Sequence, residues 1–315
     1  MSQSGQLTDA SPRIAGFGED QFARILLFVA PALFCTNLLV AKATADLIPP
    51  VHLSFLRWGA TFLLLLPLVG PRLWVRRGAM LREWKDLAIL GALGMGVCGA
   101  FVYIGADTTS ATNIGLIYSA SPVLIILLAA AFYGEAVSKL QIAGITLSLL
   151  GVIVIVCRAD LDVLVNLAFT VGDLWILAAM IGWAVYSVLL RHRPSEMGLS
   201  TRFGATTLAG VIILAPFTLW EASTGNVPVW NWETAGWIAL LALVASFGAY
   251  QVYAYVQRVL GAGRSSLLMY MVPIYNAVLA WALLGETPQP YHWIGAALVL
   301  PGMMLATAKG KKKTA

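Results

Sequence analysis

Residues 122–151 read PVLIILLAAAFYGEAVSKLQIAGITLSLLG, and residues 273–302 read PIYNAVLAWALLGETPQPYHWIGAALVLPG. In each stretch a proline is followed, at the same spacing, by a Gly-Glu pair and then by two glycines. The residues that superpose under a shift of 151 positions are Pro122 on Pro273, Gly134-Glu135 on Gly285-Glu286, Gly144 on Gly295, Leu147 on Leu298 and Gly151 on Gly302. The chain therefore contains an internal repeat.

The composition around this repeat is that of a membrane protein. Of the 315 residues, 59% are hydrophobic and 11% are charged, and the mean hydropathy is +0.82. A soluble domain carries about 25% charged residues, because its surface must be polar. These values exclude a soluble enzyme, a disordered protein and a nucleic-acid binder of ordinary composition. The three cysteines, Cys35, Cys98 and Cys157, lie in apolar runs and show neither a disulfide framework nor a metal-binding spacing.

Ten apolar runs are long enough to cross a bilayer as helices, since one crossing needs roughly 20 residues. The runs lie at about 25–44, 51–69, 87–105, 112–133, 140–157, 172–190, 203–220, 235–256, 265–284 and 291–308. Residues 161–171 are apolar but too short to span, so a loop or an interfacial turn is expected there. The runs are too long and too apolar for β-barrel strands. The predicted fold is an all-α integral membrane protein with ten transmembrane helices.

The positive charges predict the orientation of these helices. If the N-terminus is cytoplasmic, 17 of the 20 Lys and Arg residues lie on the cytoplasmic side, and only Lys42, Arg57 and Arg158 lie on the other. We therefore expect both termini in the cytoplasm and the protein in the plasma (inner) membrane. In this prediction residues 1–22 are a mobile cytoplasmic tail that precedes an uncleaved anchor. Residues 309–315 are a basic cytoplasmic tail that fixes the topology and does not bind nucleic acid.

The repeat extends to the second run of each half. Residues 57–61 read RWGAT and residues 202–206 read RFGAT, at a shift of 145. The predicted halves are a five-helix repeat at 23–157 and a second one at 172–308, joined by an extracytoplasmic connection at 158–171. Because five is odd, the second half crosses the membrane upside down. Inverted repeats are typical of alternating-access transporters with a substrate site at the midplane, although a duplication can also serve only to build a stable bundle.

The doubled Pro–x11–Gly-Glu–x8–Gly–x6–Gly pattern, together with the RWGAT and RFGAT segments, resembles the drug/metabolite transporter superfamily in its ten-helix EamA-type branch. The resemblance covers nearly the whole chain. It implies ten helices around a central cavity and the transport of small organic solutes. The aromatic residues of the middle helices are most similar to those of the YddG-type exporters of aromatic amino acids.

Few ionisable residues lie deep in the runs, where they would suggest proton or ion coupling. Lys42, Arg57 and Asp173 are predicted near span ends, where snorkelling makes a charge inexpensive. No Asp, Glu or His occupies the middle third of a run, so a relay of buried carboxylates is not expected. Glu135 and Glu286 each follow a glycine and precede the next run, whose helix N-terminus we expect them to cap.

Pro122 and Pro273 fall near the middle of the fourth and ninth runs. A proline inside a helix removes one backbone hydrogen bond and frees a carbonyl. In a membrane that carbonyl must face protein or a wet cavity. We expect the two prolines to line the site and to act as hinges, and static bends are the alternative.

Polar and aromatic side chains at mid-depth are the candidate substrate-binding residues, because an unpaired amide in hydrocarbon costs several kcal/mol. Trp183 and Tyr186 share one face of the sixth run, whereas many other aromatic residues fit interfacial belts. The candidate cavity residues are Asn37, Tyr103, Ser119, Trp183, Tyr186, Tyr250, Tyr253, Tyr270, Tyr275 and Asn276. Aromatic faces with a few amides and hydroxyls suit a small solute that has an apolar body and polar ends.

These features predict a secondary transporter that exports small metabolites, most of all amino acids including aromatic ones, by alternating access. A drug or other metabolite carrier, an importer, and a monomer or a homodimer stay open. An intramembrane enzyme is disfavoured because His52, His192 and His292 lie at or near span ends, and a channel because no charged ring or filter sequence is present. The glycine-rich segment 94–99 lies inside an apolar run and not in a βαβ unit. The expected partners are a small-molecule substrate and the lipid bilayer, with no catalytic residue, cofactor, metal or nucleic acid.

Overall fold

The computed structural model describes residues 13–14, 17–160, 170–265 and 267–307. Ten long helices lie within these ranges, one for each predicted run. They are α1 (Glu19–Ala43), α2 (Pro50–Val75), α3 (Trp84–Ala106), α4 (Ala111–Tyr133), α5 (Lys139–Val156), α6 (Val171–His192), α7 (Leu199–Ser223), α8 (Trp232–Leu260, helical to Ser265), α9 (Leu267–Leu284) and α10 (Pro290–Thr307). A short helix, Arg77–Arg82, joins α2 to α3.

The helices α1 to α8 are long and apolar enough to cross a membrane, judged by length and composition. In α9 the apolar stretch is Met271–Leu284, and α10 begins with the polar turn at residues 290–292. The helix bounds agree with the ten predicted runs to within a few residues at most ends. The all-helical membrane fold predicted from the sequence is therefore confirmed.

The N-terminal segment differs from the prediction at its boundary. Residues 19–22, assigned to the tail, already belong to α1, whose first turn carries Glu19 and Asp20. Acidic residues there stabilise a helix because they face its positive dipole end. Just before α1, Arg13–Ile14 and Phe17–Gly18 form a two-residue antiparallel ladder. The predictions for residues 1–12, for residues 161–169 of the connection and for the tail at 309–315 lie outside the described residues.

Local sequence sets several helix ends. The hydroxyl of Ser138 accepts a hydrogen bond from the amide of Gln141, and the Gln141 side chain accepts one from the amide of Ser138, which is a capping box at the start of α5. Gly134 and Gly285 end α4 and α9 with φ of +66° and +69°. Glycine adopts this left-handed conformation without a steric penalty. The glycine of each repeated Gly-Glu pair is thus a helix stop.

The other two glycines of the repeated pattern bring the halves together. A Cβ on Gly302 of α10 would lie 2.5 Å from the amide nitrogen of Ser148 on α5. A Cβ on Gly151 would lie 2.6 Å from a methyl group of Val299. Small residues let two helices approach closely. In a membrane this matters because helices associate through van der Waals packing and not through the hydrophobic effect. The last helices of the two halves therefore cross at the repeated glycines.

The two repeated prolines have different effects on their helices. α4 breaks at Ala120 into Ala111–Ser119 and Ser121–Tyr133, so that Pro122 stands in the first turn of the second segment. A proline is well tolerated there, since the first amides of a helix have no intrahelical partner. α9, in contrast, stays helical through Pro273. The sequence repeat thus yields one interrupted helix and one continuous helix.

The third helix of each half contains a π-helical stretch. In α3 it spans Ala92–Ala100, and in α8 it spans Leu241–Gly248. π-Helical turns inside α-helices are rare and are frequent at functional sites. The glycine-rich segment 94–99 of the sequence belongs to the first of these stretches.

Two carboxylates cap helices of the opposite half. Glu286, after α9, accepts hydrogen bonds from the amides of Ala111 at 2.8 Å and Thr112 at 3.1 Å, at the start of α4. Glu221, near the end of α7, accepts one from the amide of His52 at 2.8 Å, at the start of α2. The prediction that Glu286 caps the next helix, α10, was wrong. The C-terminus of α9 and the N-terminus of α4 lie at the same end of the bundle, so the Glu286 carboxylate reaches the first amides of α4.

The other end of the bundle, formed by connections 76–83 and 193–198, is called the basic end below. Glu135 lies there and pairs with Arg191 and His192 of α6, both at 3.0 Å. The prediction that Glu135 caps α5 was wrong, because Ser138 already fills that role. Two further ion pairs join the connections at this end, Arg82 with Glu196 and Asp86 with Arg193.

Candidate functional site: a cationic and aromatic cavity

A cavity of about 160 Å³ lies between the two halves, at the middle of the bundle. One water molecule takes up roughly 30 Å³ of liquid, so the cavity has room for a small solute. Both halves contribute to its wall. The polar, aromatic and proline residues of the wall include Phe34, Asn37, Arg57, Trp58, Ser119, Ser121, Pro122, Trp183, Tyr250 and Pro273.

Arg57 is the lining residue with a formal charge in the described part of the wall. It is 5% exposed. Its Nη1 donates to Oδ1 of Asn37 at 2.6 Å and to the hydroxyl of Tyr103 at 3.0 Å, and its Nε donates to Oγ of Ser246 at 2.7 Å. Its Cζ lies 4.6 Å from the ring centre of Trp58. The prediction that Arg57 snorkels from a span end was wrong, because partners on three other helices hold it inside the bundle.

The Arg57 charge has no carboxylate counterpart among the residues that the structure describes. Among the described residues, none of the ion pairs includes Arg57. Neutral acceptors offset only part of the cost of burying a cation. A guanidinium also matches the planar, two-oxygen geometry of a carboxylate. The cavity is therefore suited to a solute with an anionic end.

Aromatic rings form the apolar part of the site. Phe203 stacks on Tyr250 at 4.9 Å, and the ring of Trp58 lies 6.5 Å from both of them in edge-on geometry. On α6, Trp183 stacks on Tyr186 at 5.4 Å. Ring faces and edges of this kind accept the apolar or aromatic body of a small molecule.

The break in α4 adds polar backbone to the wall. Ser119 and Ser121 stand on either side of the break and line the cavity with Pro122. The hydroxyl of Ser119 donates to the carbonyl of Leu116 at 2.6 Å. The C-terminal residue of the first segment, Ser119, thus lies at the cavity, and a helix C-terminus attracts cations. Interrupted helices at the midplane serve this purpose in other transporters.

The structure distributes the predicted site residues over two layers. The predicted residues that line the cavity are Asn37, Ser119, Trp183 and Tyr250, together with the predicted hinges Pro122 and Pro273. Tyr103 lies behind the wall and bonds Arg57, and Tyr186 lies behind Trp183. Both therefore support residues that face the cavity.

The remaining predicted residues lie elsewhere in the bundle. Tyr253 packs against Phe34 with the ring centres 6.3 Å apart. Asn276 is fully buried, and its Nδ2 donates to the carbonyl of Ala111 at 2.5 Å, so it joins α9 to α4. Tyr275, on α9, is half-buried and is not part of the described cavity wall. Tyr270 also lies on α9, and its side chain is outside the described residues.

Sequence reasoning missed Arg57 and Trp58 as site residues. The available signal was the repetition of RWGAT as RFGAT, which marks a segment that both halves retain. Asp173 lies near a span end as predicted, in the first turn of α6, but it does not snorkel towards water. It is fully buried, and its Oδ1 accepts hydrogen bonds from Thr109 at 2.5 Å and Asn113 at 3.1 Å.

Comparison with known proteins gives relatives along most of the chain. An uncharacterized transporter of Archaeoglobus fulgidus is 28% identical over 90% of this chain and 97% of its own length. A probable terminal-alkyne amino-acid exporter of Streptantibioticus cattleyicolor is 28% identical over 78% of this chain and 80% of its own. The uncharacterized inner membrane transporter YedA of Escherichia coli is 23% identical over 89% of each chain.

One solved crystal structure shares the fold, with a TM-score of 0.57 and 21% identity over 91% of this chain and 96% of its own. The EamA-like transporter family matches the chain twice, at residues 21–157 and 170–308. Each match covers one five-helix repeat, and together they account for nearly all of the helical bundle. The chain belongs to the EamA-like transporter family and is a multi-pass membrane transporter.

Proposed function

We propose that this transporter exports amino acids with an apolar or aromatic side chain, by alternating access between its two inverted halves. The observation that carries the proposal is the guanidinium of Arg57, a buried cation without a carboxylate partner in the described structure, beside a cluster of aromatic rings. The cation recognises the carboxylate of an amino acid, and the rings recognise its side chain.

The ammonium group of the solute finds acceptors at the break in α4. The carbonyl end of Ala111–Ser119 and the hydroxyls of Ser119 and Ser121 border the cavity, and such groups bind a cation. Arg57 and the helix break thus supply opposite electrostatic ends within one cavity. An amino acid is a zwitterion, so this arrangement suits it better than a solute with a single charge.

The direction of transport is part of the proposal. The Lys and Arg distribution supports a cytoplasmic location of the basic end and of both termini. The relative in Streptantibioticus cattleyicolor, a probable amino-acid exporter, supports an amino acid as the exported solute. The name of the E. coli relative supports the inner membrane as the location.

Transport by purified protein in lipid vesicles tests the substrate class. We expect saturable transport and counterflow of phenylalanine, and weaker transport of phenylalaninamide, which lacks the carboxylate, and of 3-phenylpropionate, which lacks the amine. Arg57→Gln removes a charge-assisted bond of roughly 1.5–3 kcal/mol. It should raise the half-saturation concentration for phenylalanine by about 10- to 100-fold and leave that for phenylalaninamide nearly unchanged.

The matched control is Arg77→Gln, an exposed arginine that stacks on Trp74 outside the cavity. Arg57→Lys keeps the charge and should lose less affinity than Arg57→Gln, provided that both variants insert at wild-type levels. Conductance without saturation would indicate a channel. Equal transport of phenylalanine and phenylalaninamide by the wild-type protein would refute an amino-acid site built on Arg57.

A further inference from the structure

Arg202, on α7, is a second buried guanidinium, and one edge of it is unpartnered. The residue is 6% exposed, and its Nη1 donates to the carbonyl of Leu190 at 3.2 Å. Its Nε and Nη2 are buried and have no hydrogen-bond partner among the described residues. These two nitrogens form the edge with which arginine binds both oxygens of a carboxylate. The edge is thus arranged for an oxyanion that the described residues do not supply.

Arg202 occupies the place in the second half that Arg57 occupies in the first. The two residues begin the repeated RFGAT and RWGAT segments on α7 and α2. The aromatic residues that follow them, Phe203 and Trp58, pack against each other and against Tyr250. Arg57 contacts this three-ring cluster through Trp58, and Arg202 directly precedes Phe203, a member of the cluster, in sequence. Because the halves are inverted, the two residues lie towards opposite ends of the bundle. Arg202 is in the first turn of α7 at the basic end, whereas Arg57 is about one turn further into α2 and lines the central cavity.

A groove of about 420 Å³ lies beside the first turn of α7 at the basic end. Its wall includes Thr201, the neighbour of Arg202, and two exposed arginines, Arg72 and Arg76. Clustered positive charge raises the local concentration of anions. The positive charge at this end of the bundle thus favours the approach of an anionic solute.

We propose that Arg202 is a second binding position for the carboxylate of the transported solute, used when the bundle opens towards the basic end. The inference rests on the proposed function, because the solute is the amino acid that Arg57 binds in the central cavity. The carboxylate passes from Arg202 to Arg57, and the side chain of the solute crosses the ring cluster of Trp58, Phe203 and Tyr250. Two arginines at equivalent positions give an inverted transporter one anion position for each open state.

Stability separates this role from a structural one. If an arginine holds helices together, its replacement destabilises the protein. A buried cation with two unpaired donors opposes folding, so its replacement by an apolar side chain of similar length should stabilise the protein. We therefore expect Arg202→Met to raise the melting temperature of the purified transporter while it impairs transport.

The decisive measurement is the half-saturation concentration for phenylalanine, determined separately with the solute at the basic end and at the opposite end of the transporter. Right-side-out and inside-out vesicles carry the full-length protein, and a thiol probe on a Gly78→Cys background identifies the population that exposes the basic end. Arg202→Met should raise the half-saturation concentration for phenylalanine by about tenfold from the basic end and leave the value from the opposite end unchanged. Phenylalaninamide should show no such change, and Arg202→Lys should recover part of the affinity for phenylalanine. Arg77→Gln is the control for loss of one positive charge at the basic end.

The outcomes distinguish this inference from the proposed function. Equal changes from both sides with a lowered melting temperature would make Arg202 a structural residue and would overturn the inference alone. Equal changes for phenylalanine and phenylalaninamide would show that the edge does not recognise the carboxylate of the solute and would also overturn the inference. Absence of phenylalanine transport by the wild-type protein would overturn the proposed function first and this inference with it.

Discussion

Trp183 shows how a single side chain at the cavity can set substrate preference. Its indole lines the cavity and is backed by the ring of Tyr186 at 5.4 Å. A ring held in place by a second ring binds the apolar part of a solute by burying apolar surface. The binding free energy gained in this way increases with the size of that apolar part. In the proposed function, Arg57 provides the positive charge that binds the carboxylate common to all amino acids. The proposal therefore divides recognition between Trp183 for the side chain and Arg57 for the carboxylate.

Replacement of Trp183 by alanine should cost about 1–3 kcal/mol of binding for phenylalanine, or roughly 5- to 150-fold in half-saturation concentration. The effect on alanine as the solute should be much smaller, because alanine has little apolar surface to lose. Counterflow with both solutes in vesicles checks this. Trp175→Ala is the matched control, since Trp175 lies on the same helix and packs edge-on against Phe101 at 4.7 Å, away from the cavity wall. Equal losses for the two solutes with Trp183→Ala would indicate a packing role.

Three of the elements that border the cavity are irregular. α4 is interrupted at Ala120, and α3 and α8 contain π-helical stretches, whereas α5 and α10 are regular and cross at glycines. Regular helices with close glycine contacts are suited to hold the halves together. Interrupted helices carry unpaired backbone groups and can change their angle at low cost. We therefore expect α5 and α10 to support the bundle and α4 to change its angle during transport.

The interruption of α4 makes the two repeated prolines unequal, which can be measured. Pro122→Ala restores an amide at the start of the second segment and should favour a continuous α4, so that turnover falls by roughly tenfold. Pro273→Ala should have a much smaller effect, because α9 is continuous through that residue. Insertion levels and melting temperatures serve as controls for folding. Wild-type turnover in the Pro122→Ala variant would contradict the hinge role and would favour the interpretation that Pro122 only sets a static bend.

For the whole molecule, the orientation in the membrane determines whether the proposal of export is sound. The basic end should face the cytoplasm, because Lys and Arg are retained on that side. In a background without native cysteines, a membrane-impermeant thiol reagent applied to intact cells should label Thr108→Cys and Thr287→Cys and should miss Gly78→Cys and Ser200→Cys. All four positions are exposed in the structure. Labelling of Gly78→Cys before permeabilisation would reverse the orientation and, with it, the assignment of export.

The sequence by itself determined the membrane class, the ten helices and the duplication. A helix that crosses a bilayer satisfies its backbone internally and needs about 20 apolar residues, so each crossing is visible as a run of letters. The glycines of the repeat were also readable as special positions. Their separate roles, as helix stops at Gly134 and Gly285 and as a crossing point at Gly151 and Gly302, appear only when the helices are packed.

The tertiary structure alone decided which polar residues meet. A position in a run gives the depth of a residue but not the helices that face it. Arg57 is stable at depth because Asn37, Tyr103 and Ser246, which lie 20, 46 and 189 residues away in sequence, converge on its guanidinium. Asn276 lies at similar depth, yet it bonds α4 and stays out of the cavity wall. Depth follows from hydropathy along the chain, whereas a binding site requires side chains of several helices to converge, and that convergence is set by packing.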